Sequence, residues 1–256
     1  VHTKTPLAPT KQRPFFRYDP YTTIAAIIGI FFIGQIAALF LVGLYPALVG
    51  MSEEAYVDWF ENSPAAQFGV TLFVASFAVV SIWYVLKRAG IKLSRIGLIK
   101  PQTRDIFVAV GAYIAYFVSY FIIVLLASAF LPGLDVEQEQ QIGFDTTTKG
   151  WTLLLPFISL VVLPPLWEEI VFRGFLFSSL RAKYRFVYTS IATSVLFGLV
   201  HLQFGADAPL LWIAAIDTFV LSFYLCFIRE KTGSLWPAIY VHAFKNLLAF
   251  YLLFID

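Results

Sequence analysis

Charge is scarce in this sequence. Of 256 residues, 13% are Asp, Glu, Lys or Arg and 59% are hydrophobic, whereas an ordinary soluble domain carries roughly a quarter charged residues. That excludes a water-soluble globular fold. Cysteine is nearly absent as well: Cys226 stands alone, inside an apolar stretch, so neither a disulfide framework nor a cysteine-based zinc module is available. There are only three histidines, so each one is informative. The formal net charge of +2 is too small to point to nucleic acid, and what matters is where the charges sit. Internal repeats and low-complexity tracts are missing too, and no soluble domain fits between the apolar runs. Position 1 is Val where a start would carry Met, which suggests trimming or an unusual start.

What the chain has is apolar length. Seven stretches stand out: Thr22 to Tyr45, Ala65 to Leu86, Ile106 to Leu131, Trp151 to Leu180, Val187 to Leu202, Pro209 to Ile228 and Leu235 to Phe254. A bilayer-spanning helix needs roughly 20 mostly apolar residues, and an open strand edge is not tolerated in lipid. The expected fold is therefore all-α, a polytopic transmembrane bundle of about seven to eight helices in a lipid bilayer. A basic arm over residues 1–20 precedes it. The run that follows exceeds the roughly 7 to 15 residues of a signal-peptide core, so it reads as an uncleaved first span. Residues 21–150 hold three spans with their loops, and 151–256 hold four or more. The stretch from Trp151 is about 45 Å long as one helix, against a hydrocarbon core of about 30 Å. It should tilt, run out along the interface, or break at Pro164 and Pro165. Tyr21, Tyr45, Trp83, Trp151, Trp212 and Trp236 fall near span ends, as an aromatic belt requires.

The loops alternate in charge. Lys4, Lys11, Arg13 and Arg17 lie in the arm, and Glu53, Glu54, Asp58 and Glu61 in the next loop. Lys87, Arg88, Lys92, Arg95, Lys100 and Arg104 follow, and then Asp135, Glu137, Glu139 and Asp145. Arg181, Lys183 and Arg185, and later Arg229 and Lys231, close the pattern. The basic loops fall on one side every time, which places the N-terminus in the cytoplasm and the C-terminus outside. Tyr56, Trp59 and Phe60 recur at helical spacing among acids, predicting a short helix on the outer surface from Ser52 to Phe60.

Ionisable side chains at span depth are costly and point by default to function or to a buried pairing. They gather in the second half: Glu168, Glu169, Arg173, His201, Asp217, His242 and Lys245, with Asn246 beside them. Counted from the basic loops at 1.5 Å per residue, Glu168, His201, His242 and Asn246 lie at roughly 20, 21, 17 and 22 Å. One depth for four residues on three helices indicates one site. Residues four apart share a helix face. Glu169 and Arg173 would therefore pair, Glu168 would be left to face a cavity, and His242 would share a face with Asn246. Asp217 and Lys245, at roughly 18 and 21 Å, would form a separate structural ion pair.

These motifs, "WEEIVFRG", "FGLVH" and "HAFKN" in that order, resemble the CPBP family of intramembrane proteases, the Abi family that includes the type II CAAX prenyl endopeptidases. The resemblance covers Trp151 to Phe254. It implies an endopeptidase with Glu168 as the general base on a water, and with His201 holding that water. His242 and Asn246 would form the oxyanion hole, supported by Glu169 and Arg173. No cofactor is implied, and the substrate would be a prenylated or other membrane-associated peptide. Such chemistry requires a base within reach of a water and donors aimed at the developing oxyanion.

Blander readings stand beside this one. Glu168, Glu169 and Arg173 alone could be an ion-pair cluster locking helices, and each histidine alone a satisfied core residue; Phe197 reads as plain packing. Glu168, His201 and His242 could instead be the three ligands of a catalytic zinc, although HExxH is absent. A proton-coupled transporter also keeps Glu and His at mid-depth, but carriers tend to distribute such features over inverted repeats, and here they occupy one half. A non-catalytic scaffold or immunity protein is the third class, and every motif residue is retained. The sequence leaves the oligomeric state open.

Overall fold

The computed structural model describes residues 19–131, 133–136, 143–146, 149–202 and 210–256. Most of the basic arm, Glu137 and Glu139 of the acidic loop and Pro209 lie outside these residues. Among the described residues there are eight helices and no strand. We number them α1 (Pro20–Leu48), α2 (Glu53–Glu61), α3 (Pro64–Arg88), α4 (Thr103–Phe130), α5 (Gly150–Arg181), α6 (Phe186–Leu199), α7 (Trp212–Thr232) and α8 (Trp236–Phe254). All but α2 and α6 are long and apolar enough to cross a membrane. The chain is a multi-pass integral membrane protein.

Local chemistry sets the helix starts. Asp19 accepts a hydrogen bond from the Tyr21 amide ahead of Pro20 in the first helical turn, and Ser63 accepts from the Ala66 amide ahead of Pro64. Such caps satisfy amides that have no partner within the helix. Ser52 does the same for α2, which buries none of its residues and carries Glu53 and Glu54 in its first turn. That fits an amphipathic surface helix.

α5 occupies the centre, packed against α1, α3, α6, α7 and α8. α4 lies outside α7 and α8, and both α1 and α4 expose most of their apolar surface, as lipid-facing helices do. One cluster joins Ile82 and Leu86 of α3 to Phe172, Phe175 and Leu176 of α5 and Phe197 of α6; a second joins Ala109 and Tyr116 of α4 to α7 and α8. Between α6 and α7 the contact relies on small residues. Ser190, Ser194 and Gly198 recur every fourth position and are buried, and a Cβ on Gly198 would stand 3.0 Å from the Ala215 carbonyl oxygen. Small residues allow such close approach where lipid offers no hydrophobic drive.

Two expectations need correction. Helix α5 does not break at Pro164 and Pro165; it is helical from Gly150 to Arg181. Its hydrogen-bond ladder instead widens into π turns over Ile158–Val162, one residue short of the prolines, and again over Ile170–Leu176. Proline lacks an N–H and crowds the carbonyl four residues earlier, and a π turn relieves that crowding by looping one residue outward. The second correction concerns α6. Its 14 residues span about 21 Å, too short to cross, and His201 lies beyond its end rather than within a span.

The basic segments meet at one end of the bundle. Lys183 lies 3.0 Å from Asp19 and Arg181 lies 2.8 Å from Glu230. The Leu235 amide donates to the Gly97 carbonyl at 2.9 Å and the Trp236 indole donates to the Ile99 carbonyl at 2.5 Å. Gly97 has φ +90°, a conformation that strains any side chain, and a Cβ there would also stand 2.6 Å from the Arg229 guanidinium and displace it. The Lys183 ammonium hydrogen-bonded to Asp19 holds that exposed carboxyl below its usual range. This is the end that the positive-inside rule assigns to the cytoplasm.

Candidate active site

The paired glutamates of α5 lead in different directions. Glu169 is fully buried, and its Oε1 accepts from Arg173 Nη1 at 2.8 Å and from His242 Nδ1 of α8 at 3.0 Å. The guanidinium of Arg173, also fully buried, lies 4.2 Å over the ring of Phe197. Two costly charges thus neutralise each other, and an aromatic face covers the cation. Glu168, one residue away and about 100° around the helix, keeps 12% of its side chain exposed. Its Oε2 lies 4.0 Å from His242 Nε2, longer than a hydrogen bond, and has no hydrogen-bond partner among the described residues.

Each histidine is oriented through Nδ1. The Nδ1 of His242 contacts a carboxylate, an acceptor, so it carries the hydrogen and Nε2 is turned toward Glu168. His201 Nδ1 lies 2.7 Å from the Phe197 carbonyl, again an acceptor, and its Nε2 makes no hydrogen bond among the described residues. His201 thereby caps the C-terminus of α6, because Phe197 O belongs to the last helical turn, whose carbonyls lack helical donors. Phe197 joins both: its ring centroid is 4.7 Å from that of His201 and 5.9 Å from that of His242, and it packs edge-on to Phe172 at 4.9 Å. Phe197 thus contacts Arg173 and both histidines, a role beyond plain packing. The phenylalanine in "FGLVH" was its only sequence signal.

Asn246, one turn after His242, donates from Nδ2 to the Leu160 carbonyl of α5 at 2.8 Å. Lys245 faces elsewhere and lies 3.1 Å from Asp217 Oδ2, while Tyr116 of α4 donates to Asp217 Oδ1. Tyr116 carried no motif, so the sequence alone could not have identified it. The cluster Asp217, Lys245 and Tyr116 ties α4, α7 and α8 together beside the histidines.

A zinc site would need three ligands around one point. Among the described residues no three His, Cys, Asp or Glu side chains are placed to hold a metal ion. Glu168, His201 and His242 therefore do not fit zinc in this arrangement, and no step is assigned to it.

The comparisons with known proteins bear on this same region. Residues 150–248 match the family model described as type II CAAX prenyl endopeptidase Rce1-like. A Bacillus subtilis (strain 168) protein named "Putative membrane peptidase YdiL" is 31% identical over 85 residues, which is 33% of this chain and 32% of that protein. The chain thus spans about a third of the length of the curated relative it matches. No solved structure matches it. Residues 150–248, the segment that carries Glu168, Glu169, Arg173, His201, His242 and Asn246, are thus similar to the type II CAAX prenyl endopeptidase Rce1-like family.

Proposed function

We propose that this chain is an intramembrane endopeptidase that hydrolyses a peptide bond of a membrane-associated peptide, prenylated or not. The supporting observation is the division of labour between the two glutamates. Glu169, fully buried, binds Arg173 and His242 through Oε1, whereas Glu168 keeps 12% of its side chain exposed and lies 4.0 Å from the His242 ring without hydrogen-bonding it. In this reading Glu168 takes a proton from a water, the resulting hydroxide attacks the scissile carbonyl carbon, and the same proton passes to the departing amine. Nε2 of His201 holds the water. Nε2 of His242 and the second Nδ2 hydrogen of Asn246 stabilise the tetrahedral oxyanion. For Nε2 of His242 to donate, that ring must carry both protons, and Glu169 supplies the anion with which such a ring pairs. Arg173 and Glu169 act through His242.

The test is cleavage of a fluorogenic membrane-associated peptide by purified protein. Wild type is expected to cleave, and Glu168→Gln, His201→Ala and His242→Ala to be silent while remaining folded. Glu53→Gln on the surface helix α2 should match wild type. Wild-type turnover by Glu168→Gln would refute the assignment of the base.

A further inference from the structure

The hydrogen bond between Asn246 and the Leu160 carbonyl has an unusual origin. In an α-helix the Leu160 carbonyl would accept from the amide of residue 164, and in a π turn from that of residue 165. Both are proline, and proline has no amide hydrogen. No α or π partner therefore exists for this carbonyl. It also lies inside the π segment Ile158–Val162. The side chain that takes it is Asn246 of α8, at 2.8 Å.

Because a carbonyl only accepts, the contact fixes which end of the amide faces α5: Nδ2 points to Leu160 and Oδ1 points away. One Nδ2 hydrogen is committed. The other is held in a defined direction on the face that Asn246 shares with His242, one turn earlier.

We propose that Pro164 and Pro165 act as positioning residues. By leaving the Leu160 carbonyl without a helical donor, they make it the anchor that sets the orientation of the Asn246 amide. This rests on the protease reading, in which that amide faces the oxyanion. The proline pair thus exchanges local helix stability for a fixed donor on the neighbouring helix. It follows that a change restoring an amide hydrogen at 164 gives the Leu160 carbonyl a partner within its own helix and frees Asn246 to rotate.

The experiment compares wild type, Pro164→Ala, Asn246→Ala and the double variant of the full chain in detergent, with Glu168→Gln as the inactive control. Both peptide cleavage and thermal midpoint are measured. Proline to alanine inside a helix favours the helix, so failure to fold does not confound the result. For Pro164→Ala we expect kcat to fall about tenfold with KM within about twofold, the pattern of a lost transition-state contact, while the midpoint holds or rises. Asn246→Ala should lower the midpoint in the wild-type background and lower it less in Pro164→Ala. Unchanged kcat in Pro164→Ala, or a midpoint that falls together with kcat, would overturn the proposal. So would an equal effect of Asn246→Ala on the midpoint in the two backgrounds. If wild type and Glu168→Gln were equally inactive, the protease reading would fail by itself, and the midpoint comparison alone would then decide whether the prolines anchor Asn246.

Discussion

Removing the guanidinium at position 173 tests how the buried charges are held. In Arg173→Met the side-chain volume is roughly kept, and Glu169, fully buried, loses its 2.8 Å partner. Stranding one member of a buried pair costs about 3–5 kcal/mol, and losing a desolvated cation over an aromatic ring costs up to about 2 kcal/mol more. Against this, Glu169 retains its 3.0 Å contact with His242 Nδ1, which moves the expectation to about 3–4 kcal/mol. At roughly 1.4 kcal/mol per factor of ten, that is about a 150-fold to 700-fold change in the unfolding equilibrium. Neutralising both partners, in Glu169→Gln with Arg173→Met, leaves no stranded charge, so the double variant should be more stable than the sum of the single changes by about 2 kcal/mol. Equilibrium unfolding in mixed detergent micelles, followed by tryptophan fluorescence, measures all four corners of the cycle. A cost below about 1 kcal/mol for Arg173→Met, or additivity across the cycle, would refute the view that this pair is desolvated and mutually dependent.

Four further outcomes are expected. Gly198→Val places a side chain 3.0 Å from the Ala215 carbonyl and should cost about 1–3 kcal/mol. Gly111→Ala on α4, where nothing lies within 4 Å, should not destabilise; equal thermal shifts for the two would contradict the packing described for α6 and α7. Asp217→Asn and Lys245→Met should couple by about 1 kcal/mol or more in unfolding experiments, and additivity would end the ion-pair assignment. The Lys183 hydrogen bond holds the Asp19 carboxyl below its ordinary value of 3.8. The folded chain therefore binds fewer protons there than the unfolded chain, and the stabilisation present at neutral pH disappears as pH falls through the lowered value. Wild type should accordingly lose more stability on acidification than Asp19→Asn, and parallel acid-unfolding curves would show otherwise. Finally, dialysis against a chelator should leave peptide cleavage unchanged; loss of activity restored by zinc would return Glu168, His201 and His242 to the role of ligands.

The sequence by itself determined the all-helical membrane fold, because burying an unpaired backbone in lipid is so costly that apolar length alone selects helices. It also singled out the candidate site residues, since ionisable groups at span depth are costly and point either to function or to a buried pairing. The surface helix α2 was legible for a similar local reason, its aromatic and acidic residues alternating at helical period. Other features depended on contacts between elements distant in the chain. Proline chemistry at 164 and 165 predicted a break, but whether such a helix ends or shifts register depends on what neighbouring helices offer its unpaired carbonyls, and here α8 offers Asn246. Helix spacing joined Glu169 to Arg173; only packing showed that His242 completes the group and that Phe197 covers it. Tyr116, 101 residues from Asp217, had no signature at all, because a tyrosine on a lipid-facing helix reads the same whether or not it meets a buried carboxylate. A hydrogen bond across the bundle depends on distance and orientation in space, and these are set only when α5, α7 and α8 have packed.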